Sequence, residues 1–313
     1  MLTRRHLRVK VMQSLYAYSK SKNDSLKSEE KFLRQSMEEM YDLYLLLLQL
    51  IVEIRIDAEE YLEKSRQKIL ATEADINPNL KFIENKVIAL LENSPELQGE
   101  LEKRKLTHWK RDDEYVDILW AKIRESEIYA EYMASSSDSF KEDRDFILSI
   151  YREIIAPNEK LYDYLEDRKL SWLDDLPLVN TAIVKMLQKL KPQGYSKMLT
   201  KLFKSPEDRD FAISLFRKTL LKDESLAEEM LGKTPNWDKE RIAVLDTILI
   251  KMAICEFLHF PSIPVKVTIN EYLEIAKEYS TAKSSIFING VLDKLSKEYM
   301  ENGKINKMGR GLM

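Results

Sequence analysis

Trp237–Leu295 reads WDKERIAVLDTILIKMAICEFLHFPSIPVKVTINEYLEIAKEYSTAKSSIFINGVLDKL, and its pattern decides the fold class. Pro261 and Pro264 end a helix predicted from about Lys239 to Phe260, because neither can continue an i→i−4 hydrogen-bond ladder. Thr268-Ile269-Asn270-Glu271 fits a capping box, which predicts a second helix running from there to about Tyr279 and burying Leu273, Ala276 and Tyr279. Ser280-Thr281 or Ser284 then caps a last helix, whose apolar residues Ile288, Val291, Leu292 and Leu295 keep helical spacing. Asn289-Gly290 sits inside that helix. A mid-helix glycine costs about 0.5–1 kcal/mol relative to alanine. Two explanations stay open: tight helix packing, or the close approach of a ligand.

Outward from this stretch the whole chain reads as all-α. Of 313 residues 33% are charged and 44% apolar, enough for a core. Only seven are glycine, three of them Gly303, Gly309 and Gly311 near the C-terminal end, too few for the turns of a β-rich or dinucleotide-binding chain. Cys255 is the single cysteine, and His6, His108 and His259 lack metal-ligand spacing, so neither an internal disulfide nor a metal or cofactor is expected. The longest apolar run, Leu43–Val52, is interrupted by Gln49 and is about half the ~20 residues that cross a bilayer. With no apolar leader after the basic N-terminus, a soluble cytoplasmic protein that does not engage a membrane is expected.

The net charge of −3 hides an asymmetry. Arg4, Arg5, Arg8, Lys10, Lys20 and Lys22 precede the first acid, Asp24, and the C-terminal end is basic again, so a localised anionic partner is expected. Residues 4–18 form an amphipathic helix with Leu7, Val11, Leu15 and Tyr18 on its apolar stripe and the arginines beside it. Those arginines are either ordinary solvated decoration or, lacking a neighbouring acid to pair with, a grip for a phosphate backbone.

Residues 29–70 read as two helices or one long one with Leu45–Val52 buried; Asn79–Glu92 and Asp113–Met133 read as further helices, and Ser135–Ser139 as a linker or joint. Glu142-Asp143-Arg144-Asp145-Phe146 then recurs as Glu207-Asp208-Arg209-Asp210-Phe211. In the same register Ser149, Arg152 and Trp172 match Ser214, Arg217 and Trp237, and TAIVKM at Thr181–Met186 matches TILIKM at Thr247–Met252 after one inserted residue. This is either a repeated helix-loop-helix unit or convergence of charged helix starts.

These motifs carry a family resemblance. Arg4-Arg5-His6-Leu7-Arg8 followed by Gln13-Ser14-Leu15-Tyr16, Asp246–Phe257 with Lys251 and Cys255 at positions where Arg and Tyr are usual, and above all Ile263–Lys294 resemble the NusB family. The match covers the first helix and the chain from about Ser205 onward; ordinary members are roughly half as long. The resemblance therefore implies an all-α fold of NusB-like helical bundles. Residues 1–24 would be its basic helix, 25–205 a helical insertion in which 140–190 resemble 205–255, 206–300 the C-terminal helical region and 301–313 a flexible basic tail.

It also implies an RNA-binding transcription antitermination factor rather than an enzyme. Such a factor binds boxA-type RNA of ribosomal RNA transcripts together with NusE, a ribosomal small-subunit protein, so that the RNA polymerase elongation complex reads through terminators. The RNA-binding residues carried over are Arg4, Arg5, Arg8, Gln13, Tyr16, Phe287 and Asn289, with Tyr16 and Phe287 alternatively placed in the core. Arginine forks suit phosphates, and an aromatic ring and an amide suit unpaired bases. Ile286 stands where the family often has Lys, and Ala282 and Lys283 where it often has an acid. The competing expectation is a protein-interaction scaffold of the transcription or ribosome-assembly machinery that keeps the NusB fold.

Overall fold

The computed structural model describes residues 1–21, 25–193, 198–230 and 243–312. Among them all regular structure is helical apart from one isolated bridge between Leu2 and Phe203. No described helix is long and apolar enough to cross a membrane. The chain divides into two compact units, one formed by Glu38–Leu202 with Met1, the other by Leu2–Met37 with Phe203–Met313.

Helix α1 (Arg4–Lys20) begins at Thr3, whose side chain accepts from the His6 amide while the His6 ring accepts from the Thr3 amide. Leu7, Val11 and Leu15 are buried, as the helical period requires, and Tyr18 is half-buried. Helix α2 (Leu26–Arg66) is a single helix of 41 residues, with every residue of Leu45–Val52 buried. Its first turns belong to the unit of α1 and the remainder, from Glu38, to the other.

That other unit continues with α3 (Glu73–Ile76), α4 (Lys86–Glu92), α5 (Pro95–Arg104), α6 (Glu114–Arg124), α7 (Glu127–Ala134), α8 (Phe140–Ile150), a π-helical turn (Tyr151–Ile155), α9 (Glu159–Arg168) and α10 (Ser171–Lys189). The helix expected from Asn79 starts only at Lys86. The Asn85 side chain accepts from the amides of Val87 and Ile88 at 3.0 and 3.1 Å, which sets the N-terminus there. The helix expected over Asp113–Met133 is two, because Ser126 caps α7 by accepting from the Tyr129 amide at 3.2 Å. Ser135–Ser139 is a short connection inside this unit, ending in the cap of α8. Two buried indoles tie α2 to the core: Trp109 donates to the Leu46 carbonyl and Trp172 to that of Glu39, both at 2.9 Å.

The unit of α1 is completed by α11 (Pro206–Leu221), α12 (Asp223–Met230), α13 (Val244–His259), α14 (Val265–Tyr279) and α15 (Ala282–Glu301). Trp237 and the predicted start of α13 near Lys239 lie outside the described residues. Helix α14 does not begin at a Thr268 capping box. Pro264, with φ −62 and ψ 144, is the cap, and Thr268 lies fully buried one turn inside with its hydroxyl donating to Glu256 at 3.1 Å. The helix buries Tyr272, Ile275 and Ala276, whereas Leu273 and Tyr279 are only half-buried. Helix α15 is capped by Thr281, which accepts from the Ser284 amide, and Ile288, Val291, Leu292 and Leu295 are buried as predicted.

The basic tail is docked rather than free. Lys304 Nζ lies 2.8 Å from a Glu229 carboxylate oxygen, Lys307 Nζ donates to the carbonyls of Glu256 and Phe260 at 3.0 Å, and the Met308 amide donates to the Pro261 carbonyl at 3.0 Å. A Cβ at Gly311 would stand 1.9 Å from the Pro261 oxygen, so only glycine fits this close approach.

The repeated pentapeptide opens one helix in each unit. Asp143 lies in the first turn of α8 and Asp208 in that of α11, both buried, and Phe146 and Phe211 are each 5% exposed. Helix α8 packs on α10 and α11 on α13, so each copy's two helices meet. The likeness extends to a third helix. Asp143 accepts from the amide of Lys86, the first residue of α4, at 3.0 Å, and Asp208 accepts from Nε of Arg4, the first residue of α1, at 3.2 Å.

Candidate nucleic-acid interface

The first turn of α1 places Arg4 and Arg5 where unpaired amides already carry partial positive charge, with no acid in that turn. The same open cleft, about 880 Å³, is bordered by the N-terminal caps of two more helices, Ser205 of α11 and Pro264 of α14. Neither cap supplies a side-chain hydrogen bond to its helix. Three helix N-termini and the side chains of Arg4, Arg5 and Arg8 thus border one concavity, together with the carboxylates of Asp208 and Glu271.

The arginines are not without acidic partners, contrary to the expectation from the local sequence. Arg4 pairs with Asp208 at 3.2 Å, Arg5 with both oxygens of Glu271 at 2.8 and 3.1 Å, and Arg8 with both oxygens of Glu256 at 2.6 and 2.9 Å. These acids lie 204, 266 and 248 residues further along the chain, beyond the reach of an i, i+4 reading.

The three pairs differ in kind. The Arg8 side chain is 2% exposed and Glu256 is fully buried. Glu256 also accepts from the hydroxyls of Tyr272 at 2.8 Å and Thr268 at 3.1 Å, so its oxygens are satisfied throughout. Burial works against the Arg8 charge, but Glu256 outweighs it and the guanidinium is held well above its ordinary value. Burial beside Glu256 likewise pushes the Tyr272 phenol far up. Arg8 is therefore a core residue and does not present its guanidinium to an RNA. Arg4 and Arg5 keep 41% and 40% of their side chains exposed. Exposed pairs of this kind contribute only about 0–1 kcal/mol, so an incoming phosphate can compete for these arginines. The hydrogen bond to Glu271 raises Arg5 above its usual value. Burial, then the Arg5 charge, lowers the His6 imidazole and keeps it neutral near neutral pH. The Arg4 and Arg8 guanidiniums stand 5.0 and 5.2 Å from the centre of the Phe211 ring, within reach of a cation–π attraction.

Of the seven residues expected to bind RNA, the cleft brings together Arg4, Arg5 and Arg8. Gln13 is half-buried further along α1, Tyr16 is 42% exposed with Lys20 Nζ 5.6 Å from its ring centre, and Asn289 is exposed on α15. Phe287 is 6% exposed and belongs to the core, so it does not offer a stacking face. Asp208, Glu256 and Glu271 were missed as members of the site. The signals were present, since Asp208 stands in the repeat and Glu271 in the Ile-Asn-Glu motif.

The NusB family model matches residues 180–297. The chain is similar to the transcription antitermination protein NusB of Salinibacter ruber, 44% identical over 112 residues that cover 36% of this chain and 70% of that protein. It is also similar to those of Chloroherpeton thalassium (38% over 105 residues; 34% and 50%) and Koribacter versatilis (40% over 92 residues; 29% and 63%). No solved structure matches it. The matched stretch holds α11, α13, α14 and α15, which with α1 build the arginine cleft and its surroundings. On this likeness, which takes in more than two thirds of the Salinibacter protein, the chain belongs to the NusB family of non-enzymatic antitermination factors.

Proposed function

We propose that this protein is an RNA-binding transcription antitermination factor that takes a boxA-type segment of ribosomal RNA transcripts at the Arg4–Arg5 cleft. It would work in the cytoplasm with NusE on the RNA polymerase elongation complex. The observation that carries the reading is the convergence of three helix N-termini and two half-exposed arginines on one open cleft. Asp208 and Glu271 hold the arginines in place in the free protein, and RNA phosphates exchange with them. The test is binding of a labelled boxA-type RNA and of a scrambled RNA, each with and without NusE. The reading expects salt-sensitive binding that prefers the boxA-type RNA and tightens when NusE is added. No preference under either condition would remove it.

One observation favours the scaffold reading instead: all three arginines already have acidic partners. That reading predicts polymerase or ribosomal partners, NusE not among them, retained after nuclease treatment.

A further inference from the structure

The two copies of the repeat differ in how they treat a matched pair of cations. In the unit of α1, Arg217 pairs with Glu30, and Lys251 Nζ lies 2.6 Å from an Asp223 carboxylate oxygen. The same register places Arg152 and Lys185 in the other unit. Both are exposed, and neither has an ion-pair partner among the described residues. The counterpart of Asp223 is Asn158, a neutral residue whose side chain caps α9 by accepting from the Leu161 amide at 3.1 Å.

Arg152 and Lys185 line one open pocket of about 320 Å³ formed by the π-helical turn and α10, with no carboxylate among its lining residues. Asn180 lines it as well. The buried Tyr151 hydroxyl donates to Asn180 Oδ1 at 2.7 Å, which orients the amide and leaves Nδ2 as a donor. In the other copy this position is an acid, Asp246. The π-turn is itself a difference between the copies, because its counterpart, 216–220, is regular helix inside α11. Such turns are rare and recur at functional sites.

The pocket thus offers two cations and an amide donor over the apolar side chains of Ala156 and Val184. The other copy shows what the two cationic positions hold when they are filled: one side-chain carboxylate each. A single-stranded nucleic acid would need a ring to stack on, and the aromatic residue of this pocket, Tyr151, is fully buried.

We infer that this pocket docks an acidic segment of a partner protein, which sets two carboxylates on Arg152 and Lys185 while Asn180 Nδ2 donates to one of them. The site lies in the Glu38–Leu202 unit and stands independently of the RNA reading, which concerns the other unit.

The experiment uses the full chain at low salt and two fluorescent probes, an octaglutamate peptide and an oligouridylate of the same length, with binding read by anisotropy. Arg152→Ala/Lys185→Ala changes two exposed side chains and should weaken octaglutamate binding about 10-fold. Asn180→Asp keeps an acceptor for the Tyr151 hydroxyl but sets a carboxylate beside both cations, so it should weaken the peptide about 3-fold. Thermal unfolding of each variant confirms that the fold is kept. Octaglutamate binding that is absent in the wild type, or equal in all three proteins, overturns the inference. A loss seen in Arg4→Ala/Arg5→Ala and not in the pocket variants would seat the peptide at the cleft and overturn it. Oligouridylate binding that depends on Arg152 and Lys185, with octaglutamate binding unaffected, would make the pocket a nucleic-acid contact and overturn it too.

Discussion

Asp143 and Asp208 stand in the same five-residue sequence, each in the first turn of a helix and each nearly buried, yet they hold different things. Asp143 accepts from the Lys86 amide and from the Tyr132 hydroxyl at 2.7 Å, so it locks the start of α4 to α7 and α8. Asp208 accepts from a guanidinium that is 41% exposed. Burial and the bond to Asp143 push the Tyr132 phenol up, as in a closed structural network. One local sequence thus serves as a rivet in one unit and as a releasable clasp on a charged surface in the other. What decides is the residue at the head of the neighbouring helix: an amide cannot be drawn away by a ligand, whereas an arginine can.

The largest effect expected lies beneath the clasp. Arg8→Ala strands the fully buried Glu256 carboxylate and should cost about 3–5 kcal/mol. Urea unfolding followed by circular dichroism measures this; a loss below about 1 kcal/mol would place Arg8 back among the exposed arginines.

The next test sets the two aspartates side by side. Asp143→Ala leaves a helix-start amide without its acceptor and the Tyr132 phenol with only the Lys81 carbonyl at 3.4 Å, and should cost about 2 kcal/mol. Asp208→Ala removes one half-exposed pair and should cost about 1 kcal/mol or less. Trp109, Trp120 and Trp172 all lie in the Asp143 unit, so tryptophan fluorescence follows that unfolding well. Equal losses would erase the distinction between rivet and clasp.

The smallest effect concerns two acids that meet in the Asp143 unit. Burial, and then the charge of Asp117, push the Asp57 carboxyl up to about 6. Its folded pKa lies above its unfolded one, so the native state is penalised once pH rises through about 6 and the penalty is absent at low pH. Asp57→Asn should therefore raise Tm near pH 7, and the gain should vanish near pH 4. A gain independent of pH would mean that the carboxylate charge is not its source.

The helical class, the buried stripes of α1 and α15 and the capping of α15 were legible because they depend on spacing within one helix. The parts that were not legible depend on partners far away in sequence. Thr268 reads as a helix cap, yet the extended backbone at Pro264 starts α14 earlier and the Thr268 hydroxyl meets buried Glu256 instead. Arg4, Arg5 and Arg8 read as one patch, but α1 turns Arg8 inward onto α13 and leaves the other two at the cleft. Lys304 and Lys307 read as a loose basic tail, since the carboxylate and carbonyls that hold them come from α12 and from the end of α13. Phe287 reads equally well as a stacking ring or a core ring, and only its burial decides.

Whether RNA phosphate takes over the guanidinium that Glu271 holds is read by a salt titration of RNA binding for Glu271→Gln. Glutamine keeps an acceptor for Arg5 but removes the competing charge, so boxA-type RNA should bind about 3–10-fold more tightly at low salt. Arg4→Ala/Arg5→Ala should move the opposite way and lose about 1.4 from the salt slope. Weaker or unchanged binding by Glu271→Gln, with the protein folded, would contradict the account.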